Sequence, residues 1–379
     1  MDDSTLATPL YQPHALAFRT QYAELKERSA AAGPLLPGTP GLLVLRAGTG
    51  YGYWYRRYYS APGQEVEDYV CKDGDEEVLA AARDRIAFAD WAMRQVRDLR
   101  KLQFQVADKA TARVLVELHN TGLLAGGVAG AGGLVVVGTL GYMAWLNELG
   151  ARAVSASTQD VDLARRQDLK LAAPRSFLQA VEATKLRFFP VPGMPHGLPP
   201  TAMKRSGAEG LRIDVLAHGD VLGRVVPVPE LEWHAQAIPF YDYLLHEPRD
   251  AAVLAGGHCI PVPLAAPERF VWHKLYSSAA RTGFPEKARK DLVQAATLAA
   301  VLVEQDDAVL SESLADVPVA MLASLRTRLV PLRRLLAKHP QVLEQFELAL
   351  GRAKPDTARA RRAAVSPSGR TPRAARRRS

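Results

Sequence analysis

The sequence predicts an α/β (α+β) fold, a mixed β-sheet core flanked by helices, with a strand and helix region before it and a helical region after it. Three observations support this. Gly133-Leu134-Val135-Val136-Val137 is an apolar run of buried-strand length, and at Gly138 it gives way to a helical stretch that stops at Gly150. Alternation of period two recurs at Asp160-Val161-Asp162-Leu163 and at Leu211-Arg212-Ile213-Asp214-Val215. From Pro267 onward the spacing is that of amphipathic helices. These patterns divide the chain into 1–107, a core over 108–265 with an insertion at 163–210, a helical part over 266–351, and a tail over 352–379.

In chain order, Gly41 to Val70 predicts two or three strands, Leu42-Leu43-Val44-Leu45 first and Tyr53 to Tyr59 second. Alternation puts Tyr53, Tyr55, Arg57 and Tyr59 on one face and Trp54, Arg56 and Tyr58 on the other. Such a strand could stack bases while its arginines reach phosphates, or it could simply pack on the next helix. Asp73 or Asp75 caps a long helix from Glu76 to about Val106. The glycine-rich stretch Gly127 to Gly133 precedes its strand, whereas a dinucleotide fingerprint follows one, and no Gly-Lys-Ser/Thr ending makes a Walker loop. The insertion is expected to fold over the site, from where Lys204 and Arg205 could meet phosphates or form a solvated basic loop. Pro227-Val228-Pro229 and Ile260-Pro261-Val262-Pro263 suggest edge strands or extended connections. A helix beginning at His273-Lys274 precedes a second that carries Lys287, Lys290, Asp291 and Gln294 on one face and Leu292, Ala296, Ala299 and Val303 on the other.

At 379 residues and 48% hydrophobic content the chain can bury a substantial core. Cys71 and Cys259 are its only cysteines and stand far apart, which argues against a disulfide framework or a zinc site and fits a reducing cytoplasm. Met1-Asp2-Asp3 does not open a signal peptide, so a cytoplasmic location is expected. Thr121 to Asn147 holds no charged residue and is long enough to cross a bilayer, but its eight glycines and Val135-Val136-Val137 favour burial as loop, strand and helix. The tail carries ten Lys or Arg against one acid, so the +8 net charge leaves −1 for the remainder. Its Ala, Pro, Ser and Gly content predicts disorder and loose, salt-sensitive contact with polyanions, or a merely solubilising end.

The chemistry concentrates on carboxylates. On a strand, Asp160 and Asp162 share a face, and Asp214 stands alone in a second apolar strand. Three carboxylates at one point need a hard divalent cation to offset their repulsion. Gly138-Thr139 lies where a helix opens, and free N–H groups and the helix dipole suit a triphosphate there.

These residues, Gly138-Thr139, Asp160-Val161-Asp162 and Asp214, resemble the signature of the DNA polymerase beta-type nucleotidyltransferase superfamily. His273-Lys274-Leu275, Arg281, Lys287, Lys290-Asp291 and Gln294 are similar to a bacterial branch akin to the abortive-infection, type IV toxin-like nucleotidyltransferases. The resemblance spans roughly residues 40 to 305. It implies Asp160, Asp162 and Asp214 as catalytic residues holding Mg²⁺ (or Mn²⁺), and Gly138, Thr139, Lys274 and Lys290 as residues that bind the nucleotide. The implied partners are an NTP, an RNA or tRNA end or a protein as acceptor, and an antitoxin, with no membrane. The alternatives are a catalytically silent nucleic-acid-binding protein and a toxin component held by its antitoxin.

Overall fold

The computed structural model describes residues 9–48, 50–61, 63–124, 133–166, 176–193, 197–207 and 210–351. The N-terminal residues Met1-Asp2-Asp3, most of the Gly127 to Gly133 stretch and the basic tail lie outside these.

The chain opens with β1 (Tyr11–Pro13) and α1 (Leu16–Ala31), followed by three antiparallel strands, β2 (Leu42–Ala47), β3 (Gly52–Ala61) and β4 (Gln64–Lys72). The aromatic strand β3 alternates as expected, but its arginines are already committed. Arg56 is buried, donates Nη2 to the carbonyls of Pro37 and Thr39 at 2.6 and 2.8 Å, and stacks over Tyr58 at 3.9 Å. Arg57 and Arg46 both pair with Glu67, at 2.8 and 2.7 Å. A sheet whose cations are internally neutralised is not the phosphate-reaching platform the sequence allowed. α2 (Glu76–Lys101) is capped by Asp75, whose side chain accepts from the Val78 amide at 3.3 Å.

The core follows. α3 (Lys109–Asn120), β5 (Val135–Val136), α4 (Gly138–Glu148), β6 (Ala151–Ala153) and β7 (Asp160–Arg165) lead to α5 (Phe177–Ala183), β8 (Phe188–Pro190), β9 (Ala202–Arg205) and β10 (Arg212–His218). β11 (Val225–Val228), β12 (Trp233–Ile238), α6 (Tyr241–Leu244), β13 (Arg249–Ala255) and β14 (His258–Leu264) complete it. The strands form a nine-stranded mixed sheet in the order β11-β12-β10-β7-β5-β14-β13, with β9 beside β10 and β8 beside β9. β7, β10 and β12 run parallel, whereas β5 is antiparallel to β7.

Two expectations are corrected. The strands and helix of the described part of 163–210 do not form a cover: β8 and β9 widen the sheet, and Phe177 of α5 packs on Trp233, which alternation places on the sheet face opposite Asp214. β14, with Pro261 and Pro263, is not an edge strand. It lies between β13 and β5, and it tolerates prolines because the two-residue β5 meets it only at Leu264.

Among the described residues no helix is long and apolar enough to cross a membrane. The uncharged stretch through Asn147 is buried instead: every residue of β5 and nearly all of α4 are inside. Cys71 and Cys259 are both free and buried. α7 (Pro267–Ala280) and α8 (Pro285–Gln305) pack together, and α9 (Val309–Ser313), α10 (Val319–Arg326), α11 (Leu329–Leu335) and α12 (Pro340–Gly351) close that end, Phe346 meeting Trp272 edge-on at 5.5 Å.

Candidate active site

Gly138 is where sequence and geometry meet most tightly. Its φ of +66° belongs to the left-handed region, and an added Cβ would lie 2.7 Å from the Asp162 carboxyl carbon and overlap its oxygen. The strand-to-helix turn therefore needs glycine twice over, for its backbone and for the space it leaves. The Val137 amide donates to the Asp162 carbonyl at 3.0 Å, which ties the turn to β7. No side chain caps α4, whose 11 residues carry no acid in the first turn, so the amides at Gly138 and Thr139 stay available to an anion. Thr139 itself is buried there.

The register of β7 and β10 sets the carboxylates. Asp162 stands directly beside Asp214, and Asp160 beside Arg212, all on one face of the sheet. Burial, and next the negative charge of Asp214, pushes the Asp162 carboxyl up to about 6, while Lys274 and Arg281 pull it the other way. Asp214 is buried and doubly held: Arg212 donates Nε to Oδ2 at 2.7 Å and Nη2 to Oδ1 at 2.8 Å. Asp160 is half-buried, and its amide donates to the Thr158 hydroxyl at 3.1 Å.

Cations reach this face from α7 and α8. Lys274 donates to Asp291 Oδ1 at 2.6 Å, and Arg281, at the end of α7, sits with Nε 2.8 Å from Asp291 Oδ2. Asp291 is buried in α8, so one carboxylate from α8 fixes two cations from α7. Lys290 donates to the Ser157 carbonyl at 3.4 Å, just ahead of the Asp160 strand. Burial and then the like charge of Lys274 lower its pKa, against the pull of Asp291, Asp160 and Asp162.

Every site residue expected from the sequence thus falls in one neighbourhood. Others were missed. Arg212 was quoted in its motif without a role, although its position two residues before Asp214 on a strand already put it on the same face. Tyr241 is raised by burial and then by Asp162, and its ring meets buried His273 at 5.1 Å. His273 is driven down to about 4 by burial, so it stays neutral, with Nε2 3.2 Å from the Pro239 carbonyl. Nothing in the sequence pointed to Tyr241. The chemistry does not sit in the cavity of about 360 Å³ between α1 and α2, which is lined by Leu35, Phe88, Ala92 and Cys259 among others and holds none of these residues.

Among the described residues no three His, Cys, Asp or Glu side chains are drawn together closely enough to hold a metal ion. The donor chemistry nevertheless fits a hard divalent cation: Asp162 and Asp214 offer only oxygens and stand side by side on adjacent strands.

A helix start open to phosphate, two carboxylates side by side and three cations facing them define a site for handling polyphosphates. A family described as nucleotidyltransferase matches residues 109–318, more than half of the chain, and the protein belongs to that family. Its activity is therefore of the nucleotidyl-transferring type. No curated protein and no solved structure matches the chain.

Proposed function

We infer that the protein moves an NMP from an NTP to a hydroxyl of an acceptor and releases pyrophosphate. One observation carries this: Asp162 and Asp214 stand in register on adjacent parallel strands, against a helix start whose glycine lets the Asp162 carboxylate approach the turn. The amides at Gly138 and Thr139 receive the phosphates. Lys274 and Lys290 offset their charge, with Arg281 beside them. Asp162 and Asp214, with Asp160 on the same face, would hold Mg²⁺ or Mn²⁺, which supplies charge neutralisation at the α-phosphate and a lower pKa for the acceptor hydroxyl. The hydroxyl gives up its proton to solvent, its oxygen bonds to the α-phosphorus, the bond to the bridging oxygen breaks, and pyrophosphate leaves with that electron pair. His273, neutral and buried, meets the Tyr241 ring and the Pro239 carbonyl, which ties α7 to α6 and the segment before it.

The test is incubation of purified protein with each labelled NTP, Mg²⁺ or Mn²⁺, and total cell RNA and protein. A labelled acceptor together with released pyrophosphate is expected, and both vanish in Asp162→Ala. If no nucleotide binds and no acceptor is labelled, the reading is wrong. The Arg212 clamp on both oxygens of Asp214 favours a second reading: a site at rest, released by a partner such as an antitoxin or permanently silent and retained for nucleic-acid binding. If the site is at rest, Arg212→Gln would raise transfer; if it is silent, Arg212→Gln would change nucleotide binding without restoring transfer.

A further inference from the structure

The carboxylate face continues across the sheet as a row of other residues. Asp160 of β7 pairs with Arg212 of β10, Arg212 with Lys204 of β9, and Lys204 with Phe189 of β8. Residues paired across strands project from the same face, so these four form one line that leads from the site to the sheet edge. Three strand spacings of about 4.8 Å make this line roughly 14 Å long, the reach of a few nucleotides. Its outer part is open: Lys204 is exposed, and Phe189 shows 57% of its surface. No ion pair or hydrogen bond occupies the Lys204 ammonium among the described residues, unlike Arg46 and Arg57 of the N-terminal sheet.

An exposed phenylalanine on a strand beside an unpaired lysine offers a base a stacking face and a phosphate a cation. The sequence of groups runs from carboxylates through cations to an aromatic ring. That polarity suits a chain whose terminal hydroxyl points inward and whose backbone trails outward. We propose that the β10-β9-β8 face seats the acceptor, and that the acceptor is single-stranded nucleic acid, a phosphate on Lys204 and a base on Phe189, while Arg212 stays on Asp214. The proposal rests on the transfer reading for its inward end only; the track itself is a binding surface that can be measured without turnover.

The experiment uses the full chain and fluorescently labelled ten-nucleotide RNA and DNA strands, with binding followed by anisotropy at several salt concentrations. NTP binding is measured separately on the same samples. Phe189→Ala is expected to weaken strand binding roughly tenfold while leaving the charge unchanged, since stacking on one ring is worth that much. Lys204→Gln should weaken it several-fold and reduce the salt slope by about 0.7, the share of one phosphate contact on a single strand. Both variants should bind NTP as the parent does. The proposal is overturned if the parent binds neither strand, or if Phe189→Ala binds them as tightly as the parent, which would leave a protein acceptor or the basic tail as the binder. A loss of NTP binding in the parent with strand binding intact would sink the transfer reading and leave the track standing.

Discussion

The N-terminal three-stranded sheet and the β7-β10 face use the same alternation and opposite electrostatics. In the first, Arg46, Arg57 and Glu67 close on one another, and Arg56 is spent on backbone carbonyls. In the second, Arg212 holds Asp214, but Asp162 beside it has no hydrogen-bonded cation among the described residues, and burial and then the charge of Asp214 push its carboxyl up to about 6. A strand with balanced charges builds structure, and one with unbalanced charges waits for a ligand. Charged residues on a strand become informative only when their partners are known.

The largest effect that breaks this comparison should come from removing the imbalance. Asp162→Ala is expected to cut transfer by roughly 100-fold or more, the cost of losing one preorganised charge at a reacting phosphate, without unfolding the protein. Labelled-NTP turnover and circular dichroism read the two parts. Gly138→Ala should match it for a different reason: the new Cβ collides with the Asp162 carboxylate and must hold a φ of +66°, so both melting temperature and transfer fall. A variant with normal turnover would show that the turn is not the phosphate seat.

Asp214→Asn separates rate from binding. Since Asp214 lies beside Asp162 rather than at the helix start, roughly tenfold or more should be lost in kcat with little change in nucleotide affinity. Equal losses in both would make Asp214 a wall of the pocket.

A stability measurement sharpens the point. Asp162 titrates near 6 when folded, against 3.8 ordinarily, so its ionisation opposes folding as pH rises from about 4 to 6. The penalty is absent below about pH 4 and complete above about pH 7. In divalent-free buffer, Asp162→Asn should therefore be more stable than the parent at pH 8, by up to about 3 kcal/mol, and equal to it at pH 4. Denaturant melts at the two pH values check the sign. The smallest effect belongs to the balanced sheet: Arg57→Gln should leave both transfer and the melting temperature within error, because its pair with Glu67 is partly solvated.

The local parts of this design were legible in the sequence. Period two put Asp160 with Asp162 and Arg212 with Asp214, and a glycine at the end of an apolar run announced the turn into α4. What depends on pairing between distant segments was not. Nothing in Phe188-Phe189-Pro190 or Ala202 to Arg205 says that these residues will flank β10 rather than cover it, and the prolines of β14 read as edge markers because the brevity of β5 is a tertiary fact. Lys274, Arg281 and Asp291 were legible as a group through resemblance, but their shared carboxylate emerges only when α7 lies against α8.

That shared carboxylate limits how far its two cations can turn to another anion. A phosphate that drew Lys274 and Arg281 wholly to itself would strand Asp291, buried and charged, which costs more than exposed ion pairs return. The two cations can thus attract a polyanion but cannot abandon their anchor for it. On the proposed reading this anchor would cap the grip on pyrophosphate and ease its departure.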